Sequence, residues 1–446
     1  MNVPLTNAGN FKRYVDTPIL GSNLMRFDFR YGDGLLPLDV SGRLAVETLL
    51  PTSVGKSIDT ERTIIDALEK PLDSSPFSQI TSQADSVAIV VNGGHDYELI
   101  SVLLSTVLES FRTSISGPTS TSIIYPMDFL HSTPQDAPSN LMGLHEQSGY
   151  HQILHNPRQS EDLCLVGETP THCTPVYVNK ALMDAEIKIG IGTIRSNVLV
   201  GATGGRMSVL PYSSGIRSIS RNYKIQATNS SGPFVTDSAA CIDLEEASRL
   251  ACLDFIINAI PDWKDNFNGV IAGNPYTAWH KGVVTAKSMT ETYFHHKADI
   301  AIVSAGGSPN DRTLYDAVDA LHAGKEATEH GGVIVLVAEC IEGPGPEGFI
   351  KGVSECASRE ELSLLAETGF EIGMEKSRFF VDIMNSRKII ICSRMRQSLV
   401  SERFKCTAVK DPQEGFEVAK NSIVSSPRIA VIPHGMRTLP VMKNAR

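Results

Sequence analysis

The sequence predicts an α/β protein built as two domains with mostly parallel sheets, and three observations carry that prediction. At 446 residues the chain exceeds one ordinary core, because a domain takes about 150 residues. Short β-branched runs such as Ser86 to Asn92 (SVAIVVN) and Asp299 to Ser304 (DIAIVS) end in glycines, and a helical pattern follows. Strand, glycine turn and helix form the unit of an open parallel sheet, whose ligands lie at the carboxyl ends of the strands. A break at Gly273, Asn274 and Pro275 separates two series of such units. The expected domains are therefore 1–275 and 283–432, with a tail at 433–446 available to pack back on the first.

Residues 1–84 are rich in Pro, Ser and Thr, with short apolar alternations such as Asn23 to Phe29, and are expected to form strands and loops. After the Ser86 to Asn92 strand, Leu99, Leu103, Val107 and Phe111 recur every four residues, with Val102 and Leu108 widening the stripe into a helix face. From Ser116 to Glu161 the chain is polar and carries His131, His145, His151 and His155. Their spacing matches no zinc signature, so solvated histidines stand beside a metal site as readings, and no metal ligand set is assigned.

Ile187 to Ile194 is short and β-branched enough for a buried strand, and the cluster Gly201, Gly204 and Gly205 follows it. Glycines packed this densely after a strand allow positive φ or a close approach of ligand to backbone. The stretch therefore reads as the floor of a ligand site, with a purely structural turn as the other reading. A dinucleotide fingerprint fails at Arg195, and no phosphate-binding G-x-x-x-x-G-K-[ST] is present because Met207 follows Arg206.

Asp243 with Glu246 suggests a capping box opening a helix over Asp243 to Ala259. After the boundary, Asp299 to Ser304 and Val333 to Ala338 read as strands, with a helix at Leu314 to His322 between them. A helix capped by Ser358 and Glu361 comes next. Lys388 to Cys392 and Arg428 to Ile432 complete a second sheet of about four parallel strands.

Composition narrows the partners. Forty basic against 50 acidic side chains give a formal charge of -10, which repels phosphate backbones, and no basic patch overrides it, so nucleic acid is not an expected partner. No apolar run approaches the ~20 residues of a membrane helix, and the start lacks the apolar core of a signal peptide. A cytoplasmic protein with no membrane partner is expected. The eight cysteines are scattered and never form C-x-x-C, which fits reduced thiols better than zinc.

Several stretches follow one another in a set order: Tyr31-Gly32 with Gly34, LVGETPTHCTPVYVNKALMDAEIKIGIG from Leu165, GATGGRMSVLP from Gly201, the DLEEA helix at Asp243, and Asn274-Pro275 with His280 and Gly282. ADIAIVSAGG from Ala298, VAECIEGPG from Val337 and VIPHG from Val431 complete the set. In order and spacing they resemble the nickel-dependent lactate racemase family. The resemblance implies two α/β domains closing on a cleft. It also implies a nickel-pincer nucleotide that takes a hydride from the α-carbon of a 2-hydroxy acid, while histidines move the hydroxyl proton. Such chemistry needs acid/base groups about the α-carbon and a cation for the carboxylate.

Matched residue by residue, the sequence departs from the family at most working positions. The tethering lysine falls on Met207 in the cofactor loop of Gly201, Gly204, Gly205 and Arg206. An acid/base histidine falls on Asn197, the nickel-ligating histidine on Tyr223, and a glutamine and a lysine on Asp316 and Asp319. The family's Asp-x-Thr-Arg is replaced by the turn from Asn92 through His95 to Asp96. His131 stands where the family has its other acid/base histidine, and Arg195 is a candidate to hold a carboxylate. The candidate site is thus His131, His95, Asn197 and Tyr223 for catalysis and Asn92, Arg195, Asp316 and Asp319 for substrate. The expected function is an isomerase, a racemase or epimerase, or a related enzyme acting on a small 2-hydroxy or sugar acid in the cleft, without a covalently tethered nickel-pincer cofactor. A non-catalytic relative that binds a carboxylate or nucleotide is the other reading; the cofactor itself stays open.

Overall fold

A computed structural model of the chain describes residues 19–20, 24–51, 59–82, 84–92, 96–113, 120–130, 141–143, 149–229 and 232–443. Two six-stranded sheets organise it. In the first, Ile187–Thr193 and Ser86–Val91 lie side by side at the centre, in parallel register with Ile189 opposite both Ile89 and Phe255. Ser120–Pro126 and His151–His155 extend the sheet in parallel on one side, Phe255–Pro261 on the other. Among the described residues, the one antiparallel member of this sheet is the edge strand Phe267–Gly273. Strands covered on both faces carry continuous apolar runs, and Val87, Ala88, Ile89, Val90 and Val91 are all buried.

The Tyr97–Thr113 helix covers one face with Ile100, Leu103, Leu104, Val107, Leu108 and Phe111. Val102, expected in that stripe, is 43% exposed and Leu99 only half-buried. The apolar arc is centred one residue further round because Ile100 and Leu104 face the sheet. Two strands lie within the polar Ser116 to Glu161 stretch, where proline and histidine mask the pattern.

The helix expected over Asp243 to Ala259 is instead Ala239–Leu250, capped by Ser238, and Phe255–Pro261 is a strand. Cys252, at φ 53, sits in the turn between them. Asp243 is no cap. It is fully buried and accepts from Thr169 Oγ1 and Asn222 Nδ2, at 2.6 and 2.8 Å, while Glu246 accepts from the Thr171 backbone.

The second sheet has six strands rather than about four. Ala298–Ser304 pairs with Thr328–Val337 on one side and Arg428–Ile432 on the other, all parallel. Lys388–Cys392 and Thr407–Val409 continue beyond Thr328–Val337. The sixth strand is Ala45–Thr48, which pairs with Arg428–Ile432. The Leu24–Tyr31 and Gly34–Ser41 hairpin also packs Phe27, Phe29, Leu38 and Val40 against Ile300, Ile302, Val333 and Val335. Residues 24–48, which a boundary at 275 assigns to the first domain, therefore build onto the second sheet. In the tail, Leu439–Met442 pairs with Glu291–Phe294, and Arg437 reaches Asp265 of the first unit.

The segment from Trp279 to Val284 lies inside the Thr277–Thr290 helix. The helix expected at Leu314 to His322 is two short α-helices, Leu314–Ala317 and Leu321–Ala327, joined by a 3₁₀ turn. Among the described residues, no helix is long and apolar enough to cross a membrane.

Candidate functional site

The Ile187–Thr193 strand delivers the chain into the glycine loop. Gly204 and Gly205 adopt φ 83° and 54°, the left-handed region glycine enters without steric cost. The Gly205 N–H donates to Asn258 Oδ1 at 3.0 Å, and a Cβ on Gly205 would meet Trp279 Cδ1 at 2.6 Å. The next turn, Gly205–Ser208, is buried throughout. Arg206 points away from the space between the sheets. Its guanidinium stacks 3.5 Å from the centre of the Trp279 ring and donates to Cys241 Sγ.

Two adjoining cavities, of about 170 and 240 Å³, open where the first unit meets the second, and Asn197, Thr203, Tyr212, Asp316 and Lys376 line both. The first is also lined by Asn92, Arg195, Gly204, Asp319 and His322. Met207 and Tyr223 line the other. Residues far apart in sequence thus face one continuous space.

Each has a local reason for its position. Asn197 Oδ1 accepts from the backbone N–H groups of Leu199 and Val200 at 2.9 and 3.0 Å, shaping the turn that enters the glycine loop. Asn92 is buried, and its Oδ1 accepts from Ser208 Oγ at 2.8 Å. Asp316 closes a capping box with Thr313. Met207 is 9% exposed and belongs to the apolar core.

Arg195 lies in a chain of alternating charge. It grips Asp96 through Nε and Nη2 at 2.7 and 2.6 Å, and its Nη2 reaches Asp265 at 2.8 Å; Arg437 holds the same Asp265 oxygen at 3.0 Å. Burial alone would push the Asp96 carboxyl up, but Arg195 overrides it and holds the group well below the usual carboxylate range. Arg195 thus has two carboxylates of its own.

The cation that faces both cavities is Lys376. Its ammonium donates to the Tyr315 carbonyl at 3.0 Å, pairs with Asp319 Oδ1 at 2.9 Å and lies 4.5 Å from the centre of the Tyr315 ring. Tyr315 donates its hydroxyl to buried Glu375. Burial, reinforced by Glu375, pushes the Tyr223 and Tyr315 phenols well above their ordinary range, and burial likewise raises Tyr212. These phenols are neutral donors at physiological pH. Desolvation pushes the half-buried His322 down to about 4, so it is a neutral imidazole.

A lactate racemase N-terminal domain model matches residues 31–233, and a lactate racemase C-terminal domain model matches residues 294–439. The chain belongs to the lactate racemase family. The lactate racemase of Thermoanaerobacterium thermosaccharolyticum is 23% identical over 427 residues, covering 93% of this chain and 99% of that protein. The Lactiplantibacillus plantarum lactate racemase is 23% identical over 393 residues, 85% of this chain and 90% of its own length. In structure, the T. thermosaccharolyticum lactate racemase apoprotein superposes with a TM-score of 0.83 at 22% identity, over 93% of this chain and all of that one. A Thermotoga maritima crystal structure gives 0.63 at 13% identity, over 88% of this chain and all of that one.

Of the candidate positions read from the sequence, Asn92, Arg195, Asn197, Gly204, Met207, Tyr223, Asp316 and Asp319 come together around the cavities. Gly201 and Gly205 shape the loop behind them, and Arg206 faces a separate hollow with Glu245 and Tyr276. His95 and His131 lie outside the described residues. His155 is buried and satisfied: its Nε2 lies 3.0 Å from the Ser214 carbonyl and its Nδ1 3.1 Å from Asn179 Nδ2. Among the described residues, no three His, Cys, Asp or Glu side chains cluster as a metal site.

Sequence reasoning missed Lys376, Tyr212, Tyr315 and Glu375. The available signal was Glu375-Lys376-Ser377, three polar residues buried in the first turn of the Met374–Met384 helix.

Proposed function

We propose that this chain is a racemase-type isomerase of a small 2-hydroxy or sugar acid bound between the two sheets. The observation that carries the reading is Lys376, a cation on the wall shared by both cavities. Its ammonium suits a ligand carboxylate. The neutral phenols of Tyr212 and Tyr223 donate to hydroxyl or keto oxygens, and Asp316 is the carboxylate facing both cavities, suited to exchanging the hydroxyl proton. Family membership supports the reaction class.

The residues present do not fit a covalently tethered nickel-pincer nucleotide. The Met207 thioether has no amine to form the tether. Tyr223 offers a phenol that burial keeps protonated in place of an imidazole, and Asn197 offers an amide that neither titrates near neutrality nor has its oxygen uncommitted.

A non-catalytic carboxylate-binding role is the second reading, favoured by the same substitutions. The test is a thermal-shift screen of hydroxy and sugar acids, followed by chiral analysis of the hits. Saturable stabilisation lost in Lys376→Met, together with inversion at the α-carbon, is the expected result. Stabilisation without inversion favours the binder, and no stabilisation by any acid overturns both.

A further inference from the structure

The Ile216–Asn229 helix brings Asn222, Tyr223 and Gln226 to the wall of the 240 Å³ cavity. Residues three and four apart on a helix are neighbours, so Gln226 stands beside both of the others. Asn222 and Gln226 are buried. A buried amide is costly unless its groups are paired, so what each amide already pairs with decides what it can offer a ligand.

The hydrogen bonds fix the orientation of both amides. The Thr174 N–H donates to Thr169 Oγ1 at 2.9 Å, which leaves the Thr169 hydroxyl to donate to Asp243 Oδ1 at 2.6 Å. Asp243 Oδ2 accepts from Asn222 Nδ2 at 2.8 Å, and the same nitrogen reaches the Ala240 carbonyl at 3.2 Å. A flipped Asn222 amide would set its oxygen against two acceptors. Asn222 Oδ1 therefore faces Gln226 and accepts from its Nε2 at 2.7 Å. That commits the nitrogen end of Gln226. Its Oε1 has no hydrogen-bond partner among the described residues and is left as an acceptor on the cavity wall.

Three segments thus hold one side chain: the Ala239–Leu250 helix through Asp243, the turn after Leu163–Glu168 through Thr169, and the Ile216–Asn229 helix itself. A satisfied buried network is rigid, and an acceptor already held in place costs a ligand little ordering. Lys376, Tyr212 and Asp316 line both cavities, whereas Tyr223 and Gln226 line only the larger one. An acid whose carboxylate and 2-hydroxyl sit at the shared wall extends its remaining carbons toward Tyr223 and Gln226. There the Tyr223 phenol donates and Gln226 Oε1 accepts. A hydroxyl accepts and donates at once and so satisfies the pair, while a methylene leaves both unpaired.

We infer that Gln226 is a specificity-determining residue that accepts from a ligand hydroxyl beyond the 2-position, which makes the substrate a polyhydroxy acid of the sugar-acid class rather than an alkyl 2-hydroxy acid. Asp243 and Asn222 act through it as positioning residues. The inference rests on the reading of the cleft as a hydroxy-acid site.

The test is calorimetric titration of the full chain at pH 7 with the hexonates gluconate, galactonate and mannonate and with 2-hydroxyhexanoate. All share one carbon skeleton, and the last lacks the further hydroxyls. At least one hexonate is expected to bind about tenfold or more tighter than 2-hydroxyhexanoate. Gln226→Met keeps the side-chain length without the amide and should lower that affinity ratio about tenfold, with cooperative urea unfolding kept. A folding defect would weaken both kinds of acid together and leave the ratio unchanged. Equal affinity of the wild-type chain for the alkyl acid and every hexonate overturns the inference, as does a preference that survives Gln226→Met, and either result leaves the hydroxy-acid reading standing. Binding of none of the four acids overturns that reading and the inference with it.

Discussion

Arg195→Met removes one guanidinium from the charge chain while keeping an aliphatic stem of similar reach. In the wild-type chain the Arg195 and Asp96 side chains are 11% and 12% exposed. Breaking a buried pair by deleting one partner costs about 3–5 kcal/mol, because the remaining charge is left without compensation. Two contacts soften the loss: Arg437 still holds Asp265, and the Thr193 hydroxyl still donates to Asp96 at 2.6 Å. The expected destabilisation is therefore at the low end, about 3 kcal/mol, or roughly a hundredfold in the folded-to-unfolded ratio. Urea unfolding at pH 7 reads it as a lower midpoint with unchanged slope.

The deficit should depend on pH with a definite sign. The folded carboxyl of Asp96 titrates below its unfolded range. Its pairing therefore stabilises fully above about pH 4 and fades as pH falls toward the depressed folded value. The gap between wild type and Arg195→Met should narrow in acid, and adding Asp96→Asn to Arg195→Met should recover much of the loss. A deficit under about 1 kcal/mol at pH 7, or one that does not change between pH 7 and pH 3, would refute a closed buried pair.

Three other outcomes follow from local geometry. Gly190→Ala places a Cβ 2.1 Å from Ser208 Oγ, which breaks the Ser208 to Asn92 hydrogen bond; a loss of about 1–3 kcal/mol is expected by urea denaturation. Ser238→Ala removes the cap that accepts from Cys241 N and should cost about 1 kcal/mol, readable as a lower thermal midpoint with any ligand binding kept. Tyr223→Phe deletes a neutral phenol from the cleft wall and should weaken hydroxy-acid binding about tenfold with the circular dichroism spectrum unchanged; equal binding would remove Tyr223 from the site.

The parts of the fold legible in sequence were those where one local rule dominated. SVAIVVN and DIAIVS are buried on both faces, so unbroken β-branched runs identified them. Ser358 and Arg359–Gly369 obeyed a capping rule. Asp243 to Ala259 misled because Leu244, Ala247, Phe255 and Ile256 keep helical spacing across a real break. Only the left-handed Cys252 turn separates helix from strand there, and a cysteine carries little turn signal. Ala45–Thr48 joined the second sheet through pairing with a strand almost 400 residues away, which no local pattern encodes.

At the site, the resemblance located the glycine loop and the positions around it, and the structure brings Asn197, Met207, Tyr223 and Asp316 to one space. Lys376 was not legible, because its importance comes from Asp319 and Tyr315 meeting it across the second unit. Arg195 reads in sequence as a spare cation beside glycines. Only the fold reveals Asp96 and Asp265 already bound to it.

Chiral chromatography of enantiopure 2-hydroxy and sugar acids incubated with the purified protein tests whether Lys376 and the surrounding phenols turn over a small hydroxy acid between the sheets, as proposed. At least one acid is expected to lose its stereochemical purity with the wild-type chain and to keep it with Lys376→Met. Inversion that proceeds equally in Lys376→Met would rule out that role for Lys376.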